Sequence, residues 1–207
     1  MYFATPSTAQ IRAFMRQGML GMIDTPAQGN LLPKDIQWAA DNGKFGSGWP
    51  GLAAWHAFLA ARSHAAGRCW FAVAPDVPFD AKATLAESLP LMDGIRALGY
   101  PAALAAQNGL EDLTVPWDTF DVLFLGGDTA WKLGPAAKDL AEQAKALGKR
   151  VHMGRVNSLR RLEYARYIGC DSADGTYLAF GPDENLPKLL GWLRKANGQG
   201  LLFGGAA

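Results

Sequence analysis

Two aspartates at the ends of apolar runs, Asp41 and Asp174, are the side chains of this sequence most suited to chemistry. Asp174 closes the run Gly169-Cys170-Asp171-Ser172-Ala173-Asp174. That run follows a helix-like segment, Asn157 to Ile168, and reads as a short buried strand finishing in a carboxylate. Asp41-Asn42-Gly43, Pro75-Asp76, Gln107 and Gly126-Gly127 end other strand-like runs in the same way. Carboxylates so placed can attack an electrophilic carbon or shuttle a proton. An aspartate, a glutamine and the backbone of a glycine pair together offer donors and acceptors to the polar edge of a ligand. A fold that gathers the ends of many parallel strands around one pocket would bring all five segments together, as a (β/α)8 barrel does.

The elements needed for such a barrel can be read along the chain. Short apolar runs predict eight strands at Tyr2–Thr5, Gly21–Asp24, Ile36–Ala40, Cys69–Ala74, Ala102–Ala106, Val122–Leu125, Arg150–Met153 and Gly169–Ala173. Between most of them lie helix-sized segments with recognisable ends. Ser7 with Gln10 forms a capping-box pattern before Ile11, Phe14 and Met15, and Gly18 closes that segment. Asp80 precedes Leu85, Leu89, Met92 and Ile95, with a kink expected at Pro90. Asp128 or Thr129 opens a helix closed by Gly148, and Asn185 is the expected cap of the last one. Residues Pro26 to Lys34 show no helical period, and the unit after Gln107 is short and interrupted by Pro116. Strand–helix alternation favours a parallel sheet, and eight units favour its closure. A doubly wound open sheet is the alternative, but no Gly-x-Gly-x-x-Gly follows any strand.

Bulk properties narrow the function classes. The 207 residues fit one barrel domain over 1–196 with a flexible tail over 197–207, and leave little room for a second domain. A net charge of +1 gives no global basic field. Cys69 and Cys170 are far apart in apolar runs and read as reduced thiols, neither a disulfide nor a metal site. No leader pattern and no bilayer-length apolar run is present, so a cytoplasmic protein is expected.

Five motifs in order resemble a known family. Asp41-Asn42-Gly43-Lys44-Phe45 is similar to the Asp-Ser-Gly-Gly-Phe-Gln motif of tRNA-guanine transglycosylases, and Gly169-x-Asp171-x-x-Asp174 matches their Gly-x-Asp-x-Phe-Asp spacing. Asp76, Gln107 and Gly126-Gly127 lie between them in the order of that family's base-recognition residues. The segments Phe124 to Lys132, Val151 to Ser158 and Asp171 to Thr176 look like the branch that inserts 7-deazaguanine into DNA, the DpdA-like DNA-guanine transglycosylases.

The resemblance implies a pentosyltransferase that exchanges guanine in DNA for a 7-deazaguanine, preQ0 or a derivative, through a glycosyl-aspartate. Asp174 would be the nucleophile and Asp41 the general acid/base. Asp76 would accept from guanine N1–H and the exocyclic amine. Gln107 and the N–H groups of Gly126-Gly127 would read O6, and Phe45 would stack on the ring. Expected partners are DNA and the deazaguanine base, with a homodimer left open; no cofactor or metal is implied. His152, Arg155, Asn157, Arg160 and Asp171 join as pocket or phosphate contacts, Arg155 and Arg160 lying in a cation-rich unit beside the nucleophile strand.

Each residue also has a plainer reading. Asp76 could form a turn, Asp128 and Asn157 could cap helices, Gly126-Gly127 could provide a tight turn, and His152 could be a core histidine. Asp171 could orient Arg155 or cap a neighbouring loop. The sequence also departs from the tRNA enzymes. Gly175-Thr176-Tyr177 replaces their Pro-Thr-Arg, leaving Arg155 to fill the place of that arginine. Two isolated cysteines cannot build their zinc subdomain. The alternatives are a tRNA-guanine transglycosylase, a deazapurine N-glycoside hydrolase, or a non-catalytic subunit that binds deazapurine or nucleic acid.

Overall fold

A computed structural model describes residues 1–196 and 198; the expected tail therefore lies almost wholly outside the described residues. Eight parallel strands close into a barrel in sequence order, each paired with the next and the first with the last. They are β1 (Tyr2–Ala4), β2 (Gly21–Asp24), β3 (Trp38–Ala40), β4 (Cys69–Val73), β5 (Ala102–Ala106), β6 (Val122–Leu125), β7 (Arg150–Met153) and β8 (Ser172–Asp174). The chain is thus a (β/α)8 barrel, and every predicted strand is present to within a few residues. All carboxyl ends point the same way, so Asp41, Asp76, Gln107, Gly126 and Asp174 share one mouth.

The described helices are α1 (Ala9–Arg16), α2 (Leu52–Ala61), α3 (Ala81–Ser88), α4 (Met92–Ala97), α5 (Thr129–Lys132), α6 (Pro135–Ala146), α7 (Leu159–Tyr167) and α8 (Pro182–Ala196). Two units depart from the repeat. The segment after β2 is a loop, and β5 is followed only by short 3-10 turns, as their turn-rich sequences predict. Pro90 does more than kink a helix: a 3-10 turn at Leu89–Leu91 separates α3 from α4.

The helix starts correct the sequence in three places. The cap of α1 is Thr8, one residue beyond Ser7, and its hydroxyl accepts from Ile11 N–H at 3.2 Å. Ser158, not Asn157, caps α7 through Arg161 N–H. Asn185 lies inside α8, which begins at Pro182, where the missing N–H removes no helical bond. The Asn185 amide instead donates to Tyr177 O at 3.0 Å, tying α8 to the loop after β8.

Two packed regions hold the barrel. Outward-facing strand residues meet the helices in a large cluster containing Trp38, Met22, Leu104, Leu123 and Val151. Inward-facing Phe3, Ile23, Phe71, Val73, Ala105, Val122 and Phe124 fill the interior beneath the mouth. A register shift between β3 and β4 places an extra residue on β4 just before the level of Asp41. Such a bulge re-aims neighbouring side chains.

Asp171 is corrected by this topology. It precedes β8, at the amino-terminal end of the barrel and on the far side from Asp174. Its carboxylate accepts from Val151 N–H at 2.8 Å and Lys145 Nζ at 2.7 Å, and its carbonyl accepts from the chain's amino terminus at 2.9 Å. It fastens the bottom of the barrel and reaches neither Arg155 nor the mouth. A cavity lined by Met1, Tyr2, Trp70, Asp171 and Leu193 opens at this same lower end, away from the aspartates of the mouth.

Candidate active site

Asp174 ends β8 and faces inward, two residues beyond Ser172 on the same face of the strand. One oxygen, Oδ1, accepts from Arg155 N–H at 3.1 Å and lies 3.1 Å from His152 Nε2. The other His152 nitrogen, Nδ1, lies 2.8 Å from Ser172 Oγ. His152 is fully buried, packed between Phe71 at 4.6 Å and Phe124 at 4.7 Å between ring centroids. Burial pushes its pKa down, against the pull of Asp174. The neutral ring therefore gives Nε2–H to Asp174 and accepts the Ser172 hydroxyl on Nδ1. This fixes both the imidazole and the carboxylate. His152 is thus a core histidine and a site residue at once.

Asp41, immediately after β3, is held near Asp174 and Asp76. Burial, then the neighbouring charge of Asp174 and more weakly that of Asp76, raises its carboxyl to about 7. A weak contact from Gly43 N–H, at 3.4 Å, opposes the shift. A carboxyl poised there can give and take a proton at neutral pH.

Asp76 lies in a closed amide network. Its two oxygens accept from Asn42 Nδ2 at 2.8 Å and Gln107 Nε2 at 2.7 Å. Gln107 Oε1 is also engaged, accepting Phe79 N–H at 2.9 Å. Asp76 is almost fully buried, and burial raises its pKa above the ordinary carboxylate value. A carboxylate has about four acceptor positions, so Asp76 keeps capacity for a ligand N–H, whereas Gln107 must exchange a partner to read one.

The glycine pair is corrected more strongly. The N–H groups of Gly126 and Gly127 both donate to Ala106 O, at 2.9 and 3.0 Å, so neither is free to read a ligand oxygen. Their carbonyls accept from the Arg155 guanidinium. Both positions require glycine for close approach: a Cβ at Gly126 would sit 2.8 Å from Gln107 Nε2, and one at Gly127 2.4 Å from Trp131. Asp128 does cap α5, accepting from Trp131 N–H at 2.9 Å, and Asn108 bonds both its carboxylate and its N–H.

Arg155 reaches into the mouth. Its guanidinium lies 4.0 Å from the Phe45 ring centroid, besides its bonds to the glycine carbonyls. Phe45 is 55 % exposed and meets Phe79 edge-on at 6.0 Å. The ring expected to stack on a base thus carries the arginine in this structure. Arg155 also adopts φ = +60°, a conformation costing a non-glycine residue about 1–2 kcal/mol. That turn points its N–H at Asp174 while its side chain crosses the mouth.

Asn157 donates to Thr176 Oγ1 at 3.2 Å, beside Gly175, and Arg160 is exposed on the first turn of α7. Sequence reasoning passed over Asn42, Ser172, Phe79 and Lys132. The alternation of β8 was a usable signal for Ser172; Lys132 has no local signature. Among the described residues no group of three or more His, Cys, Asp or Glu side chains is disposed to hold a metal ion. No described helix is long and apolar enough to cross a membrane.

No protein-family model and no curated protein matches the sequence. Among solved structures, the chain is similar to the Bacillus subtilis YkuI protein, which has an EAL domain and was determined with c-di-GMP and calcium. The identity is 13 % and the TM-score 0.44, over 80 % of this chain and 45 % of that one. This chain therefore spans less than half the length of that protein.

Proposed function

We propose that this protein is a DNA-guanine transglycosylase that replaces guanine in DNA with a 7-deazaguanine base, preQ0 or a derivative. The observation carrying this reading is the placement of Asp41 and Asp174 at one barrel mouth, with Asp41 raised to about 7 by burial and then by the charge of Asp174. The ordered resemblance of the surrounding motifs selects this chemistry among those two carboxylates could perform.

In the proposed reaction the target nucleotide is flipped from the DNA stack into the mouth. Asp174 attacks C1′ as the N-glycosidic bond breaks, and the departing guanine takes a proton from Asp41. The incoming deazaguanine loses its ring N–H proton to the Asp41 carboxylate and attacks C1′. The ester bond breaks, and Asp174 returns as a carboxylate. Arg155 must swing off Phe45 before that ring can support a base.

Asp76 is the proposed base reader. Asp76→Asn is expected to weaken deazaguanine binding by roughly 1–3 kcal/mol, because a ligand N–H loses a charged acceptor. Calorimetry on the folded variant reads this; unchanged affinity would leave Asp76 as a structural node for Asn42 and Gln107. Asp76→Asn sets its new NH2 against one of the two amide donors and lowers the melting temperature somewhat; Asp76→Ala is the poorer variant, since it strands both amides and lowers it further.

The polymer is assigned to the face bearing Arg160. Arg160→Gln is expected to reduce the salt slope of DNA binding by about one unit while free-base affinity survives. Arg155 is left out of this variant because its guanidinium lies in the mouth. The reading as a whole is tested by release of labelled guanine from duplex DNA, single-stranded DNA and tRNA in parallel. Release from tRNA alone would replace the DNA assignment with a tRNA one. Release without uptake of deazaguanine would indicate a hydrolase, and no release from any substrate would indicate a binding subunit.

A further inference from the structure

One peptide unit joins a buried lysine to the central carboxylate. The carbonyl of Gly154 accepts a hydrogen bond from Lys132 Nζ, and the N–H of the same peptide, belonging to Arg155, donates to Asp174 Oδ1 at 3.1 Å. Lys132 is the last residue of α5 and only 4 % exposed. A lysine head group in that position needs an acceptor, since an unsatisfied buried donor is costly, and the Gly154 carbonyl is the acceptor it has. Burial first, then Arg155 and Arg161, lowers its pKa to about 7 against the pull of Asp174 and Asp128, so near neutral pH the charged and the neutral amine are both present and either donates to the carbonyl. The peptide has little freedom otherwise. The φ of +60° at Arg155 fixes its N–H direction, and Gly154 is packed so closely that a Cβ would lie 2.8 Å from Phe124 and 3.3 Å from Asp174 Oδ1.

We propose that Lys132 is a positioning residue for Asp174, acting through the Gly154–Arg155 peptide. The lysine holds the carbonyl end of that peptide. Its N–H, the more so when the amine is protonated, draws electron density toward the oxygen and makes the Arg155 N–H a stronger donor to the carboxylate. This deepens the proposed function and rests on Asp174 being its nucleophile.

Lys132→Met and Lys132→Gln separate the bond from the charge. In Lys132→Met the Arg155 amide is expected to exchange its hydrogen about tenfold faster or more, with other core amides unchanged. In Lys132→Gln, which keeps a donor and folds more readily, the amide stays protected but its proton resonance moves upfield. For guanine release, kcat should fall roughly tenfold in Lys132→Met with KM within about twofold, which a merely structural role would not produce. An Arg155 amide unchanged in both variants would overturn the proposal, as would an unaltered kcat in Lys132→Met. If the wild type releases no guanine, the transglycosylase reading fails by itself, and the amide measurements still decide the role of Lys132.

Discussion

Asp174→Asn is expected to abolish base exchange, by at least about four orders of magnitude in kcat, while leaving the barrel intact. The loss follows from the proposed chemistry, because a neutral amide cannot capture the sugar carbon as an ester. The intact fold follows from geometry. Both protein donors, His152 Nε2–H and Arg155 N–H, converge on Oδ1, and an amide oxygen can accept both. The substituted NH2 takes the place of Oδ2, which accepts no hydrogen bond among the described residues. Melting temperature and deazaguanine affinity near those of the wild type, together with no exchange, would fit this account. Residual exchange within tenfold of wild type would remove Asp174 from the nucleophile role.

Asp41→Asn should alter two pH dependences at once. With its carboxyl at about 7, the acid form that protonates departing guanine declines as pH rises through that value. Single-turnover guanine release should therefore fall across neutrality in the wild type, and Asp41→Asn should remove that inflection along with most of the rate. The stability effect has the opposite sense for the variant. The native carboxyl holds its proton more tightly than the unfolded one, whose ordinary value is 3.8. Wild-type stability contributed by this group is thus full below about 3.8 and declines as pH rises toward about 7. At pH 8, Asp41→Asn should be more stable by about 1 kcal/mol or more, after discounting for partial exposure, which is roughly 2–4 °C in melting temperature. A variant less stable than wild type at pH 8 would show that Asp41 is stabilised by its surroundings.

The barrel was legible because its signals are local and repeated. Each strand is a short apolar run, and the helices end at glycine or begin after a cap. The strand-end position of Asp41, Asp76, Gln107 and Asp174 followed from that pattern. What could not be read is how side chains from different strands answer one another. Asp171 and Asp174 share one motif, yet a three-residue strand sends them to opposite ends of the barrel. Gly126 and Gly127 looked like free donors; their pairing with Ala106 O depends on the register of β5 against β6. Arg155 reads in the sequence as a pocket or phosphate contact, but only the left-handed turn after β7 carries its side chain across the mouth onto Phe45. Lys132 sits in a short helix whose burial depends on the neighbouring β7 turn. Propensity and periodicity describe one segment at a time, so contacts of this kind are invisible to them.

The central claim is a covalent glycosyl-aspartate on Asp174. Its most direct test is to mix the protein with guanine-containing DNA in the absence of a replacing base, quench in acid and map the adduct by peptide mass spectrometry. The account predicts a deoxyribosyl-linked DNA adduct on the peptide containing Asp174, absent from Asp174→Asn and discharged when deazaguanine is added before the quench. Guanine released with no adduct on Asp174, or an adduct on another residue, would contradict it.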